Sequence, residues 1–288
     1  VWDQERFMPE LAETHGLFTV AVVIAHEWGH VIQDRARFDE ASVILELQAD
    51  CFAGAWTQHV VSDSDARLRA DTLDLDQALA GVLSLRDAPG GSADDPLAHG
   101  SGFDRVGAFQ DGFESGVTRC AAYRNGDPAP YQFPFTSQDD LDAQGDLPLS
   151  EPGDTDDIID LTFPSLDAYW ADTFASLSGG GEYVPLDAPV AFTAEDPPDC
   201  GGESVEDFLL FVCIPDRFVG FEVEEMLPAA YRENGDFAVA TLFATQYGLD
   251  VVAQLDAADG EVAATLQGDC YAGSWAAAIL PPDPPEEY

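Results

Sequence analysis

The sequence contains no lysine: all 11 basic residues are arginines, against 55 acidic residues and a formal net charge of −44. Nucleic-acid binding and attachment to anionic lipid surfaces both need basic patches, so this composition argues against both classes. We therefore expect no nucleic-acid partner. The acidic excess is interpreted as a solvated surface, with a field that gathers cations and repels anionic substrates as the alternative.

Long hydrophobic runs are also missing. The longest largely apolar run, Leu17 to Ala25, is too short to cross a bilayer and favours a buried helix. The chain starts with Val1 instead of Met, which is expected of a mature form or a fragment, so a missing targeting signal carries little weight. No glycine-rich phosphate loop is present, so no nucleotide site is predicted.

None of the five cysteines lies in a C-x-x-C pair, which argues against a zinc knuckle. An odd number leaves at least one thiol without a partner in the chain. Cys200 and Cys213 flank a short loop and could be bridged in an oxidising compartment.

The hydrophobic patterning predicts an α+β protein that is mainly helical, with a few strands in its second half. Two helices are expected in residues 1–60, the second from about Asp39, and further helices near 71–85, 104–115 and 165–177. Strands are expected at 183–184, 190–192 and 208–213. The predicted organisation is a catalytic portion at 1–125, an acidic Pro-rich linker at 126–157, a truncated second copy at 158–279 and a Pro-rich tail at 280–288.

That second copy is inferred from an internal repeat. The segment from Leu47 to Trp56 recurs from Leu266 to Trp275, and Cys51 and Cys270 set the offset at 270 − 51 = 219. The same offset pairs Gly29 with Gly248 without a gap. One register kept over about sixty residues predicts a duplication.

The first copy carries an H-E-x-x-H motif, with His26, Glu27 and His30. On a helix, positions i and i+4 share a face, so both imidazoles can reach one metal ion. Glu27 is placed to hold and deprotonate a water molecule that the metal acidifies. The alternative is a helix that carries these residues by chance in structural roles.

The third ligand, Glu46, is predicted on the helix that follows His30. Asp50 lies one helical turn after Glu46 on the same face, where it can accept a hydrogen bond from a ligand histidine. An ordinary acidic helix face is the alternative for these two residues. Joined with the H-E-x-x-H helix, they predict a Zn²⁺ site with ligands His26, His30 and Glu46.

These motifs resemble the neutral zinc metallopeptidase family of YpfJ-type proteins, whose signature pairs a His-Glu-aromatic-Gly-His helix with a Glu-Leu-Gln-Ala-Asp-Cys helix. The resemblance implies a zincin-like fold of the gluzincin type, with Glu27 as general base. It also implies a secreted or cell-envelope location, where a segment outside this chain could anchor the protein to a membrane. Further matching residues are Gln33, His99, Gly100, Arg105, Phe109, the segment 112–116, Cys120, the pair 200–201, the strand 208–213, the pair 215–216 and the segment 235–238.

Within that resemblance, three points stay open. His99 is either a substrate contact or a plain loop histidine. Cys51 either pairs with Cys120 or is buried as a small hydrophobic residue. The oligomeric state is not determined by the sequence.

The second copy departs from the motif. At the offset of 219, His26, Glu27, His30 and Glu46 are replaced, while Asp50 is kept as Asp269, so a non-catalytic copy is predicted. The replacing residues are Thr245, Gln246, Leu249 and Thr265.

The sequence therefore predicts a zinc metallopeptidase that hydrolyses peptide or protein substrates through an activated water. The alternative is a non-catalytic envelope protein that binds a peptide or partner on a metallopeptidase-derived fold.

Overall fold

The computed structural model describes residues 3–62, 67–87, 95, 97–124, 127–130, 146–149 and 157–279. The chain divides into two compact units, Val1–Gly145 and Asp146–Asp283. The described residues are mainly helical with two small sheets, so the predicted α+β class is confirmed. No helix among the described residues is long and apolar enough to cross a bilayer.

The described part of the first unit consists of helices around two apolar clusters. Side chains fix where two of them begin: Asp71 and Asp74 form a capping box at α4, as do Ser101 and Asp104 at α5. Helix α3 is the central element, because it packs against α2, α5 and α6. The helices are α1 (Phe7–His15), α2 (Leu17–Ala36), α3 (Ser42–Ser62), α4 (Thr72–Ser84), α5 (Gly102–Ser115) and α6 (Val117–Cys120).

The second unit combines helices with two small sheets. Strand β5 lies between β1, to which it is parallel, and β4, to which it is antiparallel, while β2 pairs with β3. Trp170, Phe243 and Trp275 are buried in its main core. Its elements are α7 (Ile158–Leu177), β1 (Val190–Phe192), β2 (Asp199–Cys200), β3 (Glu203–Ser204), β4 (Leu210–Cys213), β5 (Phe218–Glu222), α8 (Met226–Asn234), α9 (Asp236–Leu255) and α10 (Glu261–Ile279).

The helices repeat at the same offset as the sequence. The starts of α1, α2 and α3 are related to those of α8, α9 and α10 by 226 − 7, 236 − 17 and 261 − 42, and each difference equals 219. The turns between them also match. Gly16 and Gly235 have φ angles of 82° and 83°, and the residues that end α2 and α9, Arg37 and Asp256, are both left-handed.

Each unit contains one disulfide. Cys51 pairs with Cys120 and Cys200 with Cys213, so both candidate pairings are confirmed. Cys270 is a free, exposed thiol.

Several predicted boundaries were wrong. Region 1–60 contains three helices, since Gly16 ends α1 before α2 begins, and α3 begins at Ser42, not near Asp39. Helix α7 begins at Ile158 instead of Ser165, because the side chain of Asp157 caps it by accepting from the backbone N–H of Asp160.

The predicted strand at 183–184 is irregular. The backbone N–H and C=O of Val184 bond to the side-chain amide of Gln254, at 3.0 Å each, and so replace a neighbouring strand. Most of the predicted linker and the whole tail lie outside the described residues. The described linker residues 146–149 and Asp157 belong to the second unit, where the N–H of Leu147 bonds to Asp236.

Candidate metal centre

Helices α2 and α3 bring three potential metal ligands together. The Nε2 atoms of His26 and His30 are 3.1 Å apart, and they lie 3.2 and 3.3 Å from the carboxylate oxygens of Glu46. All three ligand atoms fall within 4.8 Å of one another. The two histidines come from successive turns of α2, and Glu46 from the first turns of α3.

A close helix crossing makes this approach geometrically feasible. Gly29 lies between the two histidines, and a Cβ added there would be 2.8 Å from the Cα of Ala49 on α3. Since real Cβ atoms do not approach so closely, only glycine permits this separation of the helices. The backbone of α3 thereby comes near enough for Glu46 to reach both imidazoles.

The other nitrogen of each imidazole is held by a hydrogen-bond acceptor. His26 Nδ1 donates to Asp50 Oδ1 at 2.7 Å, and His30 Nδ1 donates to Gln33 Oε1 at 2.9 Å. The Gln33 amide is oriented by its own bond to the carbonyl of Leu45 at 2.5 Å. With both Nδ1 atoms donating, the Nε2 lone pairs of the neutral rings point at each other and at Glu46.

The electrostatics of the cluster favour positive charge at this point. Although burial disfavours a charged ring, Asp50 and Glu46 raise the pKa of His26 to about 9. Glu46 also raises the pKa of His30 against the effect of burial. Burial opposes ionisation of Glu46, yet the two imidazoles keep its pKa well below the usual range.

These groups fit a zinc ion. Two imidazole nitrogens and a carboxylate oxygen are the donor set of a catalytic zinc site with one open position. Two neutral imidazoles that direct lone pairs at each other over 3.1 Å repel unless a proton or cation lies between them. The donor chemistry of the three groups therefore fits a cation.

A buried ion pair supports Asp50 from the far side. Arg105 on α5 binds it in a bidentate manner, with Nε–Oδ2 and Nη2–Oδ1 distances of 2.8 and 2.9 Å, and its Nη1 donates to the carbonyl of Leu85. Burial alone would raise the pKa of Asp50, but His26 and Arg105 hold it below its ordinary value. Arg105 thus orients His26 through Asp50.

The remaining predicted residues are not part of this cluster. Glu27 is exposed, and its role as general base stays a prediction. His99 bonds to Asp87 through its backbone N–H at 2.7 Å and through Nδ1 at 3.3 Å. A substrate contact by His99 stays a prediction.

The sequence assigned no role to Gln33 or Arg105. The spacing of three residues after His30 is a usable signal for Gln33, because i and i+3 are neighbours on a helix. Arg105 is separated from Asp50 by 55 residues, so no local residue spacing in the sequence indicates their contact.

The equivalent positions of the second unit have local partners. Thr245 and Thr265 donate to backbone carbonyls of their own helices, and Gln246 donates to Thr245. The described part of the second unit contains no group of His, Cys, Asp and Glu side chains close enough to hold a metal.

Comparison with known proteins finds a family match within the first unit. Residues 5–123 match the family model described as "Putative neutral zinc metallopeptidase", so the resemblance predicted from the motifs is confirmed over that range. Two curated relatives, both named "Uncharacterized protein YpfJ", from Escherichia coli strain K12 and from Escherichia coli O6:H1 strain CFT073, are each 32% identical over 123 residues. The aligned region is 35% of this chain and 42% of each relative, so the chain spans less than half of their length. No solved structure matches the chain.

Proposed function

We propose, from the match of residues 5–123 to the family described as "Putative neutral zinc metallopeptidase", that the first unit is a zinc-dependent peptidase acting on peptide or protein substrates. The observation that carries this proposal is the convergence of His26, His30 and Glu46 within 4.8 Å. Two family motifs on successive helices thus meet at one point with the donor chemistry of catalytic zinc.

In this proposal the three ligands hold the ion and Asp50 fixes the ring of His26. Zinc held by these residues would supply Lewis acidity to a substrate carbonyl and would acidify a water molecule. Glu27, exposed beside His26, accepts a proton from the attacking water and returns it to the leaving amine. Arg105 acts only as a positioning residue, through Asp50.

We infer that the second unit is a duplicated copy that has lost the metal chemistry. The inference is supported by the single offset, 219, that relates three pairs of helix starts. Leu249 cannot ligate a metal and Gln246 cannot act as a base, while the crossing glycine is kept: a Cβ on Gly248 would be 2.2 Å from the carbonyl oxygen of Gly268. Such a copy keeps the shape of the fold without its activity.

A secreted or cell-envelope location is part of the proposal. Disulfides form and persist in oxidising compartments, and the two bridges of this chain support that assignment. Labelling of whole and lysed cells with an antibody against the protein tests it.

The decisive experiment is cleavage of a mixed peptide library by the zinc-loaded chain, with and without a chelator. We expect one tightly bound zinc per chain and cleavage that stops on chelation and returns with zinc. His30→Ala should lose the metal, as measured by elemental analysis. Stoichiometric zinc without cleavage would instead favour a protein that binds peptides and does not hydrolyse them.

The role of Glu27 has its own test. Glu27→Gln keeps the size of the side chain and removes its basicity, so we expect zinc to stay bound and kcat/KM to fall by about 10²–10⁴-fold. Glu13→Gln, an exposed glutamate on α1, is the matched control and should leave the rate unchanged. Full activity of Glu27→Gln would refute the assigned role.

A further inference from the structure

Gln33 is a buried side chain that joins the two helices of the metal centre. Only 4% of its surface is exposed, so an amide end without a hydrogen-bond partner would be costly. Its Oε1 accepts from Nδ1 of His30 at 2.9 Å, and its Nε2 donates to the backbone carbonyl of Leu45 at 2.5 Å. His30 lies on α2 and Leu45 on α3, so this one amide bridges both helices.

Both ends of the bridge lie beside a proposed metal ligand. His30 is itself one, and Leu45 directly precedes Glu46, whose carboxylate lies 3.3 Å from Nε2 of His30. Gln33 thus restrains an imidazole on one helix and the backbone next to a carboxylate on the other. A displacement of this amide would therefore move two of the three ligands.

The second unit shows which residues the shared helical core needs for packing. Phe18 stacks on Trp56 with the ring centroids 6.0 Å apart. The residues at the offset of 219, Phe237 and Trp275, stack at the same centroid distance. The packing of the repeated helices has therefore been preserved, although the ligand residues have been replaced.

Gln33 is not among the preserved residues. The residue at its offset is Val252, which is also buried, with 4% of its surface exposed. A smaller apolar side chain therefore satisfies this position in the same helical core, and packing alone does not require the amide. The ligand that the amide contacts is replaced as well, since His30 corresponds to Leu249.

A second buried glutamine shows the opposite pattern. Gln48 on α3 is 1% exposed, and its Nε2 donates to the backbone carbonyl of Cys120 on α6 at 2.9 Å. This residue is kept in the second unit as Gln267. The repeat has thus kept the glutamine that bonds to a packing helix and replaced the one that bonds to a proposed ligand. That difference links Gln33 to the metal chemistry.

We propose that Gln33 is a positioning residue that places two ligands at once, His30 and Glu46, through the amide that joins α2 to α3. Its oxygen keeps the proton of the His30 ring on Nδ1, which leaves the Nε2 lone pair for the metal. Its nitrogen holds the first turns of α3 beside α2 and so keeps Glu46 within reach of the same point. The inference rests on the proposed zinc site, but it does not depend on which peptides are cleaved.

The test measures the zinc affinity of the full chain and of two variants, Gln33→Met and Gln33→Val. Methionine keeps the length of the side chain but has no donor for the Leu45 carbonyl, and valine is the residue that the second unit carries at this position. We expect both variants to bind zinc about 10–100-fold more weakly, in competition with a zinc-binding dye. The denaturant midpoint of metal-free Gln33→Val should stay at the native value, because Val252 shows that an apolar residue fits this place.

Gln48→Met is the matched control, because it removes a buried glutamine whose amide bonds to α6. It should leave the zinc affinity unchanged. Cobalt(II) in place of zinc supplies a readout that a purely structural role would not change, since its visible absorption depends on the number and geometry of its ligands. We expect weaker absorption per bound cobalt in Gln33→Met than in the native chain and in Gln48→Met.

The outcomes separate this inference from the proposed function. Tight zinc binding by the native chain, together with native affinity and cobalt absorption in both variants of Gln33, would overturn the inference and leave the zinc site intact. Equal losses of zinc affinity in Gln33→Met and Gln48→Met, or a Gln33→Val chain that unfolds without metal, would show a role in packing and would also overturn it. A native chain that binds no zinc would refute the proposed function and this inference with it.

Discussion

Asp50 contributes both to the proposed metal site and to the packing of the first unit. Its two oxygens accept from the His26 ring and from the Arg105 guanidinium, and none of these three side chains has appreciable access to water. A buried pair of this kind is costly to break, because the remaining charge stays buried without its partner. The orientation of a zinc ligand is therefore coupled to the stability of the first unit.

We expect Asp50→Asn to impair both properties. Loss of the carboxylate behind a ligand histidine should weaken zinc binding by about 10–100-fold, as measured by competition with a zinc-binding dye. The uncompensated Arg105 should lower the free energy of unfolding of the metal-free protein by about 3–5 kcal/mol, measured by denaturant titration.

The repeat supplies the control for this prediction. Asp269→Asn changes the equivalent but exposed residue and should alter the free energy of unfolding by less than about 0.5 kcal/mol, with no effect on zinc. Equal effects of the two substitutions would contradict the role given to the buried pair.

At the residue scale, the sequence predicted the parts of the site that lie within a helical repeat. His26 and His30 are four residues apart, and Glu46 and Asp50 repeat that spacing on the next helix, so each pair had to share a face. The contact between Asp50 and Arg105 could not be found in this way, because it depends on how α5 packs against α3.

The crossing of α2 and α3 determines the site at the scale of elements. Gly29→Ala adds a Cβ at 2.8 Å from the Cα of Ala49, and backbone cannot yield as a flexible side chain can. The helices must separate, which draws Glu46 away from the two imidazoles. We expect weaker zinc binding, by calorimetric titration, and a loss of about 1–3 kcal/mol in the free energy of unfolding.

Gly107 on α5 is the matched control for that substitution. A Cβ there would meet nothing within 4 Å, so Gly107→Ala should stabilise the protein by about 0.5–1 kcal/mol through helix propensity. If Gly29→Ala behaved in the same way, the crossing would be looser than the structure indicates.

Helices and strands were predicted correctly where apolar and polar residues recur with a regular spacing along the sequence, and they were missed where no such spacing exists. Strand β5 was missed because all five of its residues are buried, so it shows no alternation, and because Gly220 interrupts it. That glycine is required by packing: a Cβ would be 2.5 Å from the ring of Phe211. Such a contact becomes visible only once β4 and β5 are paired.

At the scale of the whole molecule, the repeat was detectable because identical residues recur at one offset. What the sequence could not reveal is that the two units surround the shared three-helix core differently. Helix α9 packs against α7 and β4, whereas α2 packs against α4. These contacts involve α4 in the first unit and α7 and β4 in the second, which lie outside the repeated stretch, so a comparison of the repeated residues does not predict them.

The net charge of −44 predicts how the proposed peptidase selects substrates. A strongly negative molecule attracts cationic peptides and repels anionic ones before they reach the zinc site. The net charge therefore changes the rate at which a peptide associates with the protein. We expect peptides that share one cleavage sequence to be cut faster with flanking lysines than with flanking glutamates, as measured by kcat/KM. The advantage should shrink as added salt shortens the screening distance from about 30 Å at 0.01 M to about 8 Å at 0.15 M ionic strength. A preference for acidic peptides that salt does not change would show that local contacts at the site, and not the field of the whole molecule, control selection.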